Sequence, residues 1–166
     1  MDINGLLSTF PREVKIFIGA FVIVLSVGYY SGLLFVKQTE SHHPIGMQEN
    51  YLGNETKEAV EIMKFKKSPR EMLTIIHTHI LSMSFIFFLL GGLLLFTKLN
   101  AKLKLFLLIE PFISVLVTFG GIYLLWKDIL WMRYVVMLSG ILMTATYTLS
   151  ASIVLIQLFK KQKLTS

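Results

Sequence analysis

Four long apolar runs set the fold of this 166-residue chain: Val14–Val36, Met72–Thr97, Leu103–Trp126 and Ile129–Phe159. A hydrocarbon core about 30 Å thick needs only about 20 apolar residues to cross as a helix. Inside it the backbone must satisfy its own hydrogen bonds, so runs of this kind become helices. Only 16% of the residues are charged, well below the roughly 25% of soluble domains, and the mean hydropathy is +0.67. The expected fold is an all-α integral membrane protein. Four transmembrane helices form a bundle, with one long outer loop between the first and second.

The boundaries follow from local chemistry. Ser68-Pro69-Arg70-Glu71 is a capping box with proline at the first helical position, so the second helix begins at residue 69. The expected helices cover about 14–36, 69–97, 103–126 and 129–159 of a single membrane domain, 1–166, with the loop at 37–68. The first run exceeds the about 7–15 apolar residues of a signal peptide and no small-x-small site follows it, so it reads as a retained anchor. Within the loop, Glu55–Lys67 places Ala59, Ile62 and Met63 at helical spacing, which predicts a short amphipathic helix on the membrane surface. Asn54-Glu55-Thr56 matches the glycosylation sequon, a weak signal by itself.

Charge indicates orientation. Arg12, Lys15, Lys98, Lys102, Lys104, Lys160, Lys161 and Lys163 fall on short segments of one side. Lys37, Lys57, Lys64, Lys66, Lys67, Arg70, Lys127 and Arg133 fall on the other, most of them on the long loop. The counts tie, and density on short segments decides. Both termini are expected to be cytoplasmic and the loop periplasmic, in a bacterial inner membrane. The net charge of +6 reads as topology charge, with no nucleic-acid partner implied. The expected partners are the lipid bilayer and either protein subunits or further copies of the chain. With no cysteine, disulfides, iron–sulfur ligation and c-type haem attachment are excluded within the chain. There is no Walker loop, dinucleotide fingerprint, zinc-protease motif or nucleophile triad; any redox activity would be electron transfer.

The chemistry concentrates on histidine. His77 and His79 lie in the second apolar run, which has no other ionisable residue between Met72 and Thr97. Counted from Pro69, His77 is about 12 Å into the helix at 1.5 Å per residue, in the outer half of the bilayer. Ionisable groups inside membrane helices are functional candidates by default. At 100° per residue, Thr74, His77, Thr78, His79, Ser82 and Ser84 form a broad polar arc. Ile76, Met83, Phe87 and Leu90 fall opposite and are expected to face lipid. Two residues apart, the histidines point about 200° from each other and cannot both bind one metal from an unbroken helix. The other histidines, His42 and His43, lie in the loop near Met47. Imidazole suits copper, zinc and haem iron, and thioether suits copper(I) and haem. Plain interhelical hydrogen bonding explains the intramembrane pair equally well, and solvation explains the loop pair.

Three further features stand out. Glu110-Pro111 lies about 10 Å inside the third helix. The carboxyl reads either as a proton-path residue or as one reaching inward to Lys102 or Lys104, and the proline as a kink. Arg133, beside Trp126, Trp131 and Tyr134, is either an interfacial anchor or, with Arg70, a partner for haem propionates. Gly28-x-x-x-Gly32 permits close helix approach, and the hydroxyl-rich fourth helix, Ser139 to Ser152, suits a buried position contacting several neighbours or a partner.

In general architecture the chain resembles small four-helix membrane cytochromes b. Here the first, third and fourth helices have no histidine, so haem cannot be held by histidines of two helices. A single haem b would pair His77 or His79 with His42, His43 or a methionine such as Met137 or Met143, with Tyr29 and Tyr30 lining the site. Two readings follow. One is a membrane electron-transfer subunit binding haem b, or alternatively copper through His77, His79, His42, His43 and Met47, near the outer face. The other is a non-catalytic accessory or assembly subunit whose histidines only hydrogen-bond between helices. A weaker third is a small transporter or channel using Glu110.

Overall fold

The computed structural model describes residues 3–55 and 62–160. Among them are a single 3-10 turn at Leu6–Thr9 and five α-helices: α1 (Arg12–Gln38), α2 (Pro44–Leu52), α3 (Pro69–Leu95), α4 (Ala101–Trp126) and α5 (Met132–Phe159). No strand occurs among the described residues. Helices α1, α3, α4 and α5 are long and apolar enough to cross a membrane.

Local chemistry starts and stops these helices as the sequence requires. At the head of α3 the Ser68 hydroxyl accepts from the Glu71 amide at 3.3 Å, while the Glu71 carboxylate accepts from the Ser68 amide at 2.7 Å. Helix α4 ends in a Schellman motif. Asp128 is left-handed at φ 68°, its amide donates to the Leu125 carbonyl, and the Ile129 amide reaches back to Leu124. Aspartate is among the few non-glycine residues that tolerate this conformation. The chain then turns within a few residues into α5, making α4 and α5 a tight antiparallel hairpin.

That hairpin is the centre of the molecule. A methyl group added at Gly121 would stand 2.7 Å from Val136 Cγ2, so only glycine allows the two helices to approach this closely. Thr118 and Ser139 share a hydrogen bond of 2.8 Å across the seam. Helix α3 packs mainly on α4 and also touches α5, while α1 packs on α5. The hydroxyl-rich last helix therefore contacts every other membrane helix. Tyr29 of α1 stacks on Tyr147 of α5 with ring centroids 3.8 Å apart and planes nearly parallel; Phe87 of α3 meets both rings edge-on.

Both ends are closed by polar contacts. At the end that carries the N-terminal segment the amides of Gly5 and Leu7 donate to the Phe96 carbonyl. The Lys104 ammonium donates to the carbonyls of Leu95 and Thr97 at 3.0 and 2.7 Å, a favourable place for a cation beside a helix C-terminus. Gln157 and the Lys98 backbone exchange two hydrogen bonds. At the opposite end α2 lies against α4 and α5, and the Trp126 indole donates to the Lys67 carbonyl at 2.8 Å.

Three expectations need correction. The loop helix is α2, not Glu55–Lys67. Residues 56–61, Ala59 included, lie outside the described residues, and 62–67 are not helical. His43-Pro44 supplies a cap and a proline first position, which together start α2. Asn54 is buried, and its side chain accepts from the Lys64 amide at 2.7 Å and donates to the Ile62 carbonyl at 3.1 Å. It ties the loop together, which leaves its amide unavailable to a glycan. Gly28 and Gly32 have open space where a Cβ would stand, so they mediate no contact within this bundle.

Candidate functional site

The histidines fall on two separate elements. His43 is the N-cap of α2: its Nδ1 accepts from the Gly46 amide at 2.9 Å. A neutral imidazole accepting at Nδ1 has its proton on Nε2, leaving no lone pair for a metal. His42 lies edge-on to His43, with ring centroids 5.0 Å apart, and is exposed. Met47, expected beside them as a thioether ligand, is buried in the apolar core.

On α3 the expected faces are exchanged, save that Ser84 is half-buried. Phe87 and Leu90 are buried, and Ile76 and Met83 pack against the core. Thr74, His77, Thr78, His79 and Ser82 are exposed on the outside of the bundle. The apolar arc turns inward because it meets the equally apolar surface of the hairpin and the Tyr29–Tyr147 stack. The His79 Nδ1 lies 2.7 Å from the Ile75 carbonyl. A carbonyl only accepts, so Nδ1 is the donor; a neutral ring then keeps its lone pair on Nε2. The ring leans on Phe119 at 4.9 Å. The His77 ring makes no hydrogen bond among the described residues.

No hydrogen bond or ring contact joins the two histidine pairs among the described residues, and α2 packs on α4 and α5. No group of three or more His, Cys, Asp or Glu side chains stands ready to hold a metal there either. Among the described residues the loop histidines and the α3 histidines thus stand on separate elements, with no hydrogen bond or ring contact between the two pairs. Arg133 donates to the Gln48 carboxamide of α2 and places its guanidinium 5.0 Å from the Tyr134 ring; it pins the loop helix to the hairpin. Arg70 is exposed. Tyr29 and Tyr30 line the α1–α5 contact, where their hydroxyls meet Thr144 at 3.3 Å and Thr148 at 2.8 Å. Met143 is buried in the core.

A second polar locus lies inside. Glu110 is 7% exposed. Its Oε1 accepts a short hydrogen bond from the Ser114 hydroxyl, and its Oε2 is buried with no partner among the described residues. Lys104, to which an inward-reaching carboxylate was one expectation, is occupied with carbonyls and Asn4. Glu110, Ser114 and Thr118 recur at four-residue intervals and are all buried in α4. That spacing puts them on one stripe, which ends at Ser139. Ser114, Thr118 and Ser150 carry no weight in a search for histidine ligands. The four-residue recurrence above a buried carboxyl is the signal that marks the first two.

This geometry defines a helical membrane domain with four spans, seated in a lipid bilayer. The chain matches the family Aq_1264_TM, described as a transmembrane helical domain, over residues 41–165, and it belongs to that family. No curated protein and no solved structure matches it.

Proposed function

We propose that this chain is a membrane subunit that works by lateral assembly, binding a transmembrane helix of another subunit along the outer flank of α3. The observation that carries this reading is the outward placement of Thr74, His77, Thr78, His79 and Ser82 on a helix long enough to span. Lipid tails offer no hydrogen bonds, and polar side chains on membrane helices find partners on neighbouring helices. Apart from the His79 ring, which leans on Phe119, the stripe is exposed on the outside of the chain's own bundle, so the partner comes from outside. Side chains that both donate and accept, as histidine, threonine and serine do, suit a helix of similar polarity. In the same reading both termini are cytoplasmic and loop 37–68 periplasmic, as the basic short segments indicate.

The test is photocross-linking in native membranes. A benzophenone side chain at Thr78 is expected to give a discrete protein adduct, and one at Phe88, which is also exposed, to give lipid adducts. Lipid adducts from both positions would remove the reading.

One observation favours a second reading. His79 has the arrangement typical of a ligand histidine, with Nδ1–H directed at a carbonyl and Nε2 left to bind. An electron-transfer role with haem b would take His79 as one axial ligand and a residue of the partner as the other, near the outer face. Copper fits less well, since His43 and Met47 are committed elsewhere. A reduced-minus-oxidised spectrum of the native complex decides: a haem b α-band lost in His79→Ala supports it, and a flat spectrum from the intact complex eliminates it.

A further inference from the structure

Glu110 lies nine residues beyond the start of α4, roughly 13 Å along the helix at 1.5 Å per residue. It is buried in α4, the helix that packs most extensively on α5. The groups that interact with it are a hydroxyl and a phenol. Ser114 bonds to its Oε1, and Tyr29 of α1 lies within its electrostatic range. Tyr147 of α5 is stacked on Tyr29, and Tyr30 stands edge-on to both. From α3 the ring nearest to this level is Phe87. The α3 histidines lie toward the outer end, where His79 meets Phe119. No lysine, arginine or histidine forms an ion pair with Glu110 among the described residues.

Three polar groups are left over at this level. The first is Glu110 Oε2 and the second the Ser150 hydroxyl, each buried and without a partner among the described residues. The pairs Thr118–Ser139 and Gly121–Val136 fix the antiparallel register of the hairpin. Continued down the seam, that register sets Ser150 opposite Leu107, within one turn of Glu110. The third is the Leu107 carbonyl, because Pro111 has no amide to donate to it. A lone buried carboxylate with a single hydrogen bond is costly unless its charge is matched. The missing element is one positive charge between oxygen atoms.

We propose that Glu110 is the binding site for a small monovalent cation, a proton or a sodium ion, held between the carboxyl, the Ser150 hydroxyl and the Leu107 carbonyl. Both ligands share the required chemistry. A proton on Oε2 turns that oxygen into a donor toward a free acceptor. A sodium ion is a hard cation that takes oxygen ligands, and backbone carbonyls left free at a helix irregularity serve this purpose in membrane transporters. Ser114 and Thr118, at one-turn intervals above the carboxyl, line the way toward the outer end.

The experiment uses the full chain in detergent micelles with dicyclohexylcarbodiimide, which adds to a neutral carboxylic acid in apolar surroundings and ends as a stable N-acylurea. Peptide mapping is expected to find the adduct on Glu110 in preference to the nine other acidic residues, and none in Glu110→Gln. Labelling unchanged by excess sodium chloride assigns a proton. Labelling reduced several-fold by sodium but not by potassium assigns a sodium ion. The infrared difference between wild type and Glu110→Gln reports the acid's C=O stretch without needing reagent access, and thermal unfolding reports sodium binding. Absence of labelling, of the acid band at neutral pH and of any sodium effect on unfolding, in a protein of wild-type helicity, overturns the proposal.

Discussion

The α4–α5 seam and the outer flank of α3 are built from similar residues and use them in opposite ways. In the seam, Thr118 and Ser139 bond to each other, and Glu110 and Ser114 do the same. On the flank, Thr74 and Ser82 return their hydroxyls to carbonyls of their own helix, and His77 points outward. A polar side chain in a membrane helix is thus not by itself a sign of burial. It marks a surface that needs a partner, and only packing tells whether the partner is in the same chain.

Substitutions that break this contrast are expected to differ in size. Gly121→Leu has the largest effect, because the added side chain meets Val136 and Met132; overpacking of this kind costs about 1–3 kcal/mol and is read as early unfolding in a denaturing detergent. Next comes Thr118→Ala, which removes one seam hydrogen bond, worth about 0.6 kcal/mol in membrane proteins. Pairing it with Ser139→Ala in a double-mutant cycle isolates that term. His77→Leu is expected to change the stability of the isolated chain by less than about 0.5 kcal/mol and yet to abolish the cross-link from Thr78. A large loss of stability instead would mean that the flank belongs to the fold. The smallest effect belongs to Asp128→Asn, which removes the exposed ion pair with Lys66 at 3.1 Å but keeps a residue tolerant of the left-handed turn. Exposed pairs contribute about 0–1 kcal/mol, so unfolding curves should nearly coincide.

How much of this was legible depended on which medium each residue faces. The four spans and the Ser68–Glu71 capping box follow from length and short-range hydrogen bonding, and both are in the structure. The face of α3 does not follow. Lipid and a hydrophobic helix are equally apolar, so an apolar arc of Ile76, Met83, Phe87 and Leu90 has no preference between them until neighbouring shapes are known. The residue type of His43 suggests a ligand, whereas its place directly before Pro44 makes it a helix start. Glu110 was visible as an intramembrane carboxyl, but its orphaned oxygen depends on the register of the hairpin and the position of Ser150, which no local pattern encodes.

The short turn between α4 and α5 has a consequence for biogenesis. With only a few residues between them, the two helices are expected to reach the insertion machinery almost together, so that Thr118 meets Ser139 as both leave it. Their hydroxyls, and the carboxyl further along the seam, would then never face lipid one helix at a time. Lengthening that turn with a flexible insert should slow membrane integration of α4 more than it weakens the finished bundle, which pulse labelling of nascent chains would measure.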